Sequence, residues 1–197
     1  METRDLSVPG AVELTPTVHR DERGAFLEWF RADVFEKLTG CPFPLAQANC
    51  SVSSAGTLRG IHFAEVPPGQ GKYVTCVQGA AFDVVVDLRT GSPCYGHWDA
   101  VLLNDQARRA VWLPEGLGHG FMALTDDTVV SYLLTTPYVP EREHAVDPLD
   151  AALGIDWPAA GPDGQPLTPV LSERDRSAPA LEEVRRRGLL PRYEPGG

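Results

Sequence analysis

The stretch from residue 73 to residue 136 constrains the fold more than any other part of the chain. It breaks into short apolar runs separated by turn signals. YVTCV (73–77) is followed by Gln78-Gly79 and then by AAFDVVVDLR, which Thr90-Gly91 closes. Within the second run Phe82, Val84 and Val86 alternate with Asp83, Val85 and Asp87. Period-two alternation rich in β-branched residues marks a strand, whose successive side chains point to opposite faces. Further strands are expected at WDAVLL (98–103), AVWLP (110–114), GFMAL (120–124) and TVVSYLLTT (128–136). Turn signals at intervals of about ten residues predict an all-β sandwich or barrel.

Helices are expected at the periphery. RADVFEKLTG (31–40) puts Val34, Phe35 and Leu38 on one face and ends at Gly40, a suitable C-cap. DPLDAALG (147–154) predicts a short turn of helix. APALEEVRRRG (178–188) has Pro179 near its start, acids early, arginines late and Gly188 past its end, as the helix dipole and caps favour. The tail after Pro191 is expected to fray. A chain of 197 residues fits one domain, residues 1–197, that buries about 70% of its unfolded surface.

Composition narrows the function. The net charge is −10. That argues against a nucleic-acid partner, which calls for a basic face, but a few cations converging in a cleft can still hold a small anion. The start METRDLSVPG has neither the basic nor the apolar segment of a secretory signal, and no apolar run approaches the ~20 residues of a membrane span. A cytoplasmic protein without a membrane partner is expected. Cys41, Cys50, Cys76 and Cys94 form no C-x-x-C pair, so free thiols are expected rather than a zinc site.

Several side chains are able to do chemistry. His62 lies in the otherwise apolar LRGIHF beside Arg59, and Lys72 follows in PPGQGKYV. A lone strand histidine is commonly a satisfied core residue. HFAE lacks the second imidazole of an H-x-H metal motif, and although Glu65 could add a ligand, a metal-free site is expected. Lys72 is either solvated or turned inward, where it needs an anionic partner or a lowered pKa. Asp83 is a candidate partner if it points inward; it lies equally well on a wet outer face. His119 in GLGHGF sits in a plain turn or at a close backbone approach. Tyr132 is a core or a site residue, Tyr138 follows the strand, and Asp175 in LSERD is placed in a loop before the last helix.

RDERGAFLEWF, QANCSVSSAGTLRGIHF, PPGQGKYV, GAAFDVVVDLRTGSP, GLGHGF, SYLLTTPY and LSERD occur in that order. As a set they resemble the dTDP-4-dehydrorhamnose 3,5-epimerases of deoxysugar biosynthesis, particularly the actinobacterial members, over about residues 3 to 193. The resemblance implies a cupin-like jelly roll that works without metal or other cofactor. The implied substrate is dTDP-4-keto-6-deoxy-glucose, epimerised at C3 and C5. The resemblance makes His62 the base, Asp175 its orienting carboxylate, Lys72 the group at the ketone oxygen and Tyr132 the acid on the far face. It makes Asp83 and His119 polar residues of the same barrel and Arg59 a diphosphate contact. Gln47, Asn49 and Tyr138 fall at positions lining the sugar or the base. Arg23, Phe26 and Glu28 match nucleotide-binding positions that reach the site of the neighbouring subunit in a homodimer.

Two departures stand out. Glu65 occupies a place where many members carry glutamine, and the long AAGPDGQPLTPV stretch bears on where Asp175 is delivered. The alternatives are an epimerase acting at one carbon only, a metal-dependent cupin enzyme that elemental analysis would reveal, and a non-catalytic sugar-nucleotide binder, which would need no His62, Asp175, Lys72 and Tyr132 together.

Overall fold

The computed structural model describes residues 1–194. Two antiparallel sheets face each other in a cupin-like jelly roll. The first runs β1 (Glu2–Asp5), β2 (Val12–Thr15), β10 (Ala110–Leu113), β7 (Lys72–Gln78), β12 (Thr128–Leu134), β5 (Gln47–Ser53). The second runs β13 (Glu143–Ala145), β6 (Leu58–Ala64), β11 (Leu117–Ala123), β8 (Ala80–Asp87), β9 (Trp98–Asn104). A small hairpin, β3 (His19–Asp21) with β4 (Gly24–Phe26), belongs to neither sheet.

Alternation sorts the side chains into three layers. Val74, Cys76, Ala81, Val85, Val111 and Phe121 point between the sheets and form the central core. Tyr73, Trp112 and Leu133 point the other way. They are covered by Phe43 and by Phe35 of α1 (Ala32–Thr39), which ends at Gly40 with φ 78°. On the second sheet Ile61, Phe63, Val84 and Val86 face out and are covered by Val146, Leu153 and Leu190, together with Leu181 and Val184 of the last helix. Burial on both faces at about 25 cal/mol per Å² favours this wrapping. It also answers the question left open for Asp83, which points inward on β8 and is fully buried.

Some expectations fail for physical reasons. Residues 147–154 form consecutive turns, not a helix; the Asp147 and Asp150 carboxylates accept from the backbone N–H groups of Leu149 and Ala152 and stabilise turns instead. Asp175 sits in a short helix, α2 (Glu173–Arg176), before the last helix, α3 (Leu181–Arg186). The chain does not fray at Pro191: the Thr90 N–H donates to Pro191 O, the Tyr193 N–H donates to Thr90 O, and the Arg89 guanidinium lies 5.0 Å from the Tyr193 ring centroid. Residues 195–197 of that tail lie outside the described residues. His119 lies within strand β11, which begins at Leu117, and not in a turn; only Gly116 of GLGHGF belongs to the turn.

Candidate active site

β6 carries Arg59 and His62, three residues apart, which on a regular strand would face opposite ways. A register shift in the β6–β11 ladder changes this. His62 pairs with His119 and Arg59 with Phe121, so one residue of β11, Gly120, lies opposite two of β6, Gly60 and Ile61. This bulge turns both Arg59 and His62 into the space between the sheets. Close approach makes it possible. A Cβ on Gly60 would lie 2.5 Å from Gly120 Cα, and one on Gly120 would lie 2.7 Å from Ile61 Cδ1. The glycines flanking His119 therefore serve strand packing.

His62 Nε2 lies 2.6 Å from Asp175 Oδ1. Ser172 caps α2: its Oγ accepts from the Asp175 N–H at 3.1 Å and donates to Asp175 Oδ2 at 2.9 Å. Burial pushes the Asp175 carboxyl up, but the hydrogen bond and charge of His62, with the Ser172 hydroxyl and Arg174, outweigh it and hold the group below its ordinary value. The long stretch before LSERD does not leave this helix loose. The Leu58 N–H donates to Val170 O and the Val170 N–H donates to Gly56 O, which ties the segment to the start of β6.

Lys72 begins β7 and is 9% exposed. Burial lowers its pKa; Glu143 and Asp83 oppose that shift and Arg174 adds to it. Tyr132 on β12 faces the same interior and packs on the central core. His119 Nε2 lies 2.8 Å from Asp83 Oδ2. Arg59, His62, Lys72, His119, Tyr132 and Asp175 line one cavity of about 220 Å³. Such a set can take a proton, return one from another side chain, and hold negative charge.

Phe121, Ser172 and Arg174 also line the cavity and were not singled out from the sequence. For Ser172 a signal existed: a serine three residues before an acid is a helix-capping pattern. Arg174 donates to the Tyr138 hydroxyl at 3.3 Å and to Glu143 O at 3.2 Å. Asp83 is not a lining residue; it stands behind His119. Gln47, Asn49 and Tyr138 lie outside the lining but adjoin one another. Gln47 Nε2 donates to Asn49 Oδ1 at 2.8 Å, and Gln47 Oε1 accepts from the Tyr138 N–H at 2.8 Å. Arg23, Phe26 and Glu28 are not brought to this cavity. Arg23 pairs with Asp21, Glu28 pairs with Arg31, and Phe26 is 68% exposed. Glu65, the departure within HFAE, binds His144 Nε2 at 2.8 Å. Among the described residues no group of three His, Cys, Asp or Glu side chains is arranged to hold a metal ion.

The family model described as dTDP-4-dehydrorhamnose 3,5-epimerase matches residues 5–183. The chain belongs to the dTDP-4-dehydrorhamnose 3,5-epimerase family. Within this family it is similar to the dTDP-4-dehydrorhamnose 3,5-epimerase of Mycobacterium tuberculosis, 54% identical over 98% of this chain and 94% of that one. The solved structure of the Mycobacterium tuberculosis rmlC epimerase superposes with a TM-score of 0.94 at the same coverage. The dTDP-4-dehydrorhamnose 3-epimerase of Streptomyces niveus is 53% identical over 98% of this chain and 90% of that one. The structure of ChmJ, a 3'-monoepimerase from Streptomyces bikiniensis in complex with dTDP-quinovose, has a TM-score of 0.89 and 49% identity over 95% of this chain and 92% of that one. The family thus includes members named for one inversion and members named for two.

Proposed function

We propose that this chain is a homodimeric, cofactor-independent epimerase that inverts C3 and C5 of dTDP-4-keto-6-deoxy-glucose through an enolate. The observation that carries the proposal is the 2.6 Å contact between His62 and Asp175 in a cavity that Lys72 and Tyr132 also line. A proton next to a ketone is weakly acidic, so the base must act while the forming anion is stabilised. His62 takes the proton from carbon, and the Asp175 carboxylate favours the imidazolium that forms. The electron pair moves to the ketone oxygen, where the Lys72 ammonium meets it. Tyr132 gives a proton to the opposite face of the carbon. Imidazolium and phenolate then return to rest by exchange with solvent, which closes the proton balance.

Arg59 serves the diphosphate through charge-assisted bonds. Gln47, Asn49 and Tyr138 flank the bound sugar nucleotide. Arg23, Phe26 and Glu28 serve the partner subunit's nucleotide; the exposure of Arg23 and Phe26 on a hairpin outside both sheets, and of Glu28 just past it, supports a role away from their own cavity. The dTDP-quinovose bound by the Streptomyces bikiniensis relative supports a dTDP-linked ligand. The similarity to relatives named 3-epimerase favours, as a second reading, inversion at C3 alone. Incubation with the 4-ketosugar nucleotide in D2O tests both: deuterium at C3 and C5 is expected, and deuterium at C3 alone after prolonged incubation overturns double epimerisation.

A further inference from the structure

Asp83 is fully buried, and its two oxygens are treated differently. Oδ2 holds His119 Nε2 at 2.8 Å, while Oδ1 has no hydrogen-bond partner. An unpartnered buried carboxylate oxygen costs free energy and calls for an explanation. A second unmatched group lies nearby. Lys72 is buried in the same interior, and among the described residues its ammonium enters no ion pair or hydrogen bond. The two approach from opposite sheets, Lys72 from β7 and Asp83 from β8.

We propose that Asp83 is a positioning residue for Lys72, its free Oδ1 being the resting place of the lysine ammonium between turnovers. The inference rests on the enolate reaction proposed above. Lys72 has a flexible four-carbon stem. Drawn back toward Oδ1, it satisfies the orphaned oxygen and leaves the cavity open to ligand. Drawn forward, it meets the ketone oxygen as negative charge develops there. The charges that face Lys72 are Asp83 from β8 and Glu143 from β13, which favour its protonated form, and Arg174 from α2, which opposes it. His62, His119 and Tyr132 face the same cavity. Burial alone lowers the lysine pKa, so loss of the Asp83 charge lowers it further.

The test is Asp83→Asn, which keeps the shape and removes the charge, made in wild type and in Lys72→Met. The 4-ketosugar nucleotide is the substrate, and calorimetric dTDP binding monitors folding. In wild type the substitution should lower kcat by about 10- to 100-fold with KM nearly unchanged. The alkaline limb of the kcat profile should move to lower pH. In the Lys72→Met background it should change the residual rate by less than about twofold, because residues acting as a unit are non-additive. A full loss multiplied onto Lys72→Met, or an unmoved alkaline limb, overturns the proposal and leaves Asp83 as a support for His119 alone. A variant that no longer binds dTDP is replaced by Asp83→Glu, which keeps the charge: it should bind dTDP and retain the alkaline limb, and a shifted limb there also overturns the proposal. Wild type that exchanges no deuterium with the ketosugar would instead defeat the proposed reaction.

Discussion

His62 and His119 are direct partners across the β6–β11 ladder, and each holds its own buried carboxylate, Asp175 for one and Asp83 for the other. The proposed chemistry treats them unequally. Asp175→Asn and His62→Asn should each lower kcat by roughly 10²–10⁴-fold while dTDP affinity stays within a few-fold, because the pair acts as charge develops. Arg59→Ala should do the reverse and weaken dTDP binding most. Steady-state kinetics with titration calorimetry separates the two outcomes, and near-normal turnover in Asp175→Asn would remove it from the proposed pair.

If the hairpin residues serve the partner subunit, two crippled variants should rescue each other. A mixed dimer of His62→Asn and Arg23→Ala contains one site with both native residues. Random reassortment should therefore restore about a quarter of the sites, by the arithmetic of a two-fold dimer. Mixing that yields only the average of the two parents would place Arg23 with its own chain's site.

Lys72 should be a stability liability. Its folded-state pKa is depressed, so folding disfavours the charged lysine; that cost is fully present below the folded value and fades to nothing as pH rises from there to the unfolded value near ~10.4. Removing the charge together with its proposed partner is therefore the favourable change: Lys72→Met with Asp83→Asn should be more stable at pH 7 than Lys72→Met alone, which leaves the Asp83 carboxylate buried without a cation. A thermal melt that ranks the double variant below the single one would mean that Asp83 needs no cation.

Asp87 should govern part of the acid stability. Burial raises its carboxyl, but hydrogen bonds from Arg89 and Ser92 and the Arg89 charge prevail and hold it below its ordinary value. A depressed carboxyl contributes stability that is present above the unfolded value of about 3.9 and is lost as pH falls through the lower folded value. Asp87→Asn should cost about 3–5 kcal/mol at pH 7, since it strands a mostly buried arginine, and the loss should shrink toward pH 2. Denaturant melts at both pH values check the sign.

The strands from β7 to β12 were legible because most of their buried residues are apolar and glycine marks the turns after β7, β8 and β10. β5 was not, and the reason is physical. Gln47, Asn49, Ser51 and Ser53 are its sheltered positions, whereas Ala48, Cys50 and Val52 are exposed, so its hydrophobic alternation is inverted beside the cavity. The direction of Asp83 stayed open because β8 is buried on both faces and alternation alone does not say which is central. The pairing of Arg59 with His62 depends on a bulge that no periodicity reveals. The partnership of His62 with Asp175 followed from family resemblance alone; local spacing has no purchase on a contact between residues 113 apart.

That separation affects how the molecule is made. When synthesis has passed Leu134, every strand of the first sheet and all but one of the second has been made, yet Asp175 has not. Contacts so distant in sequence are slow to close, and their loop entropy must be overcome before they stabilise anything. A nascent or half-refolded chain can therefore hide its central core while its histidine still lacks a carboxylate. The same C-terminal segment that covers the outer face of the second sheet delivers that carboxylate, so sealing the outer layer and supplying His62 with its partner fall to one stretch of chain, the last to be made.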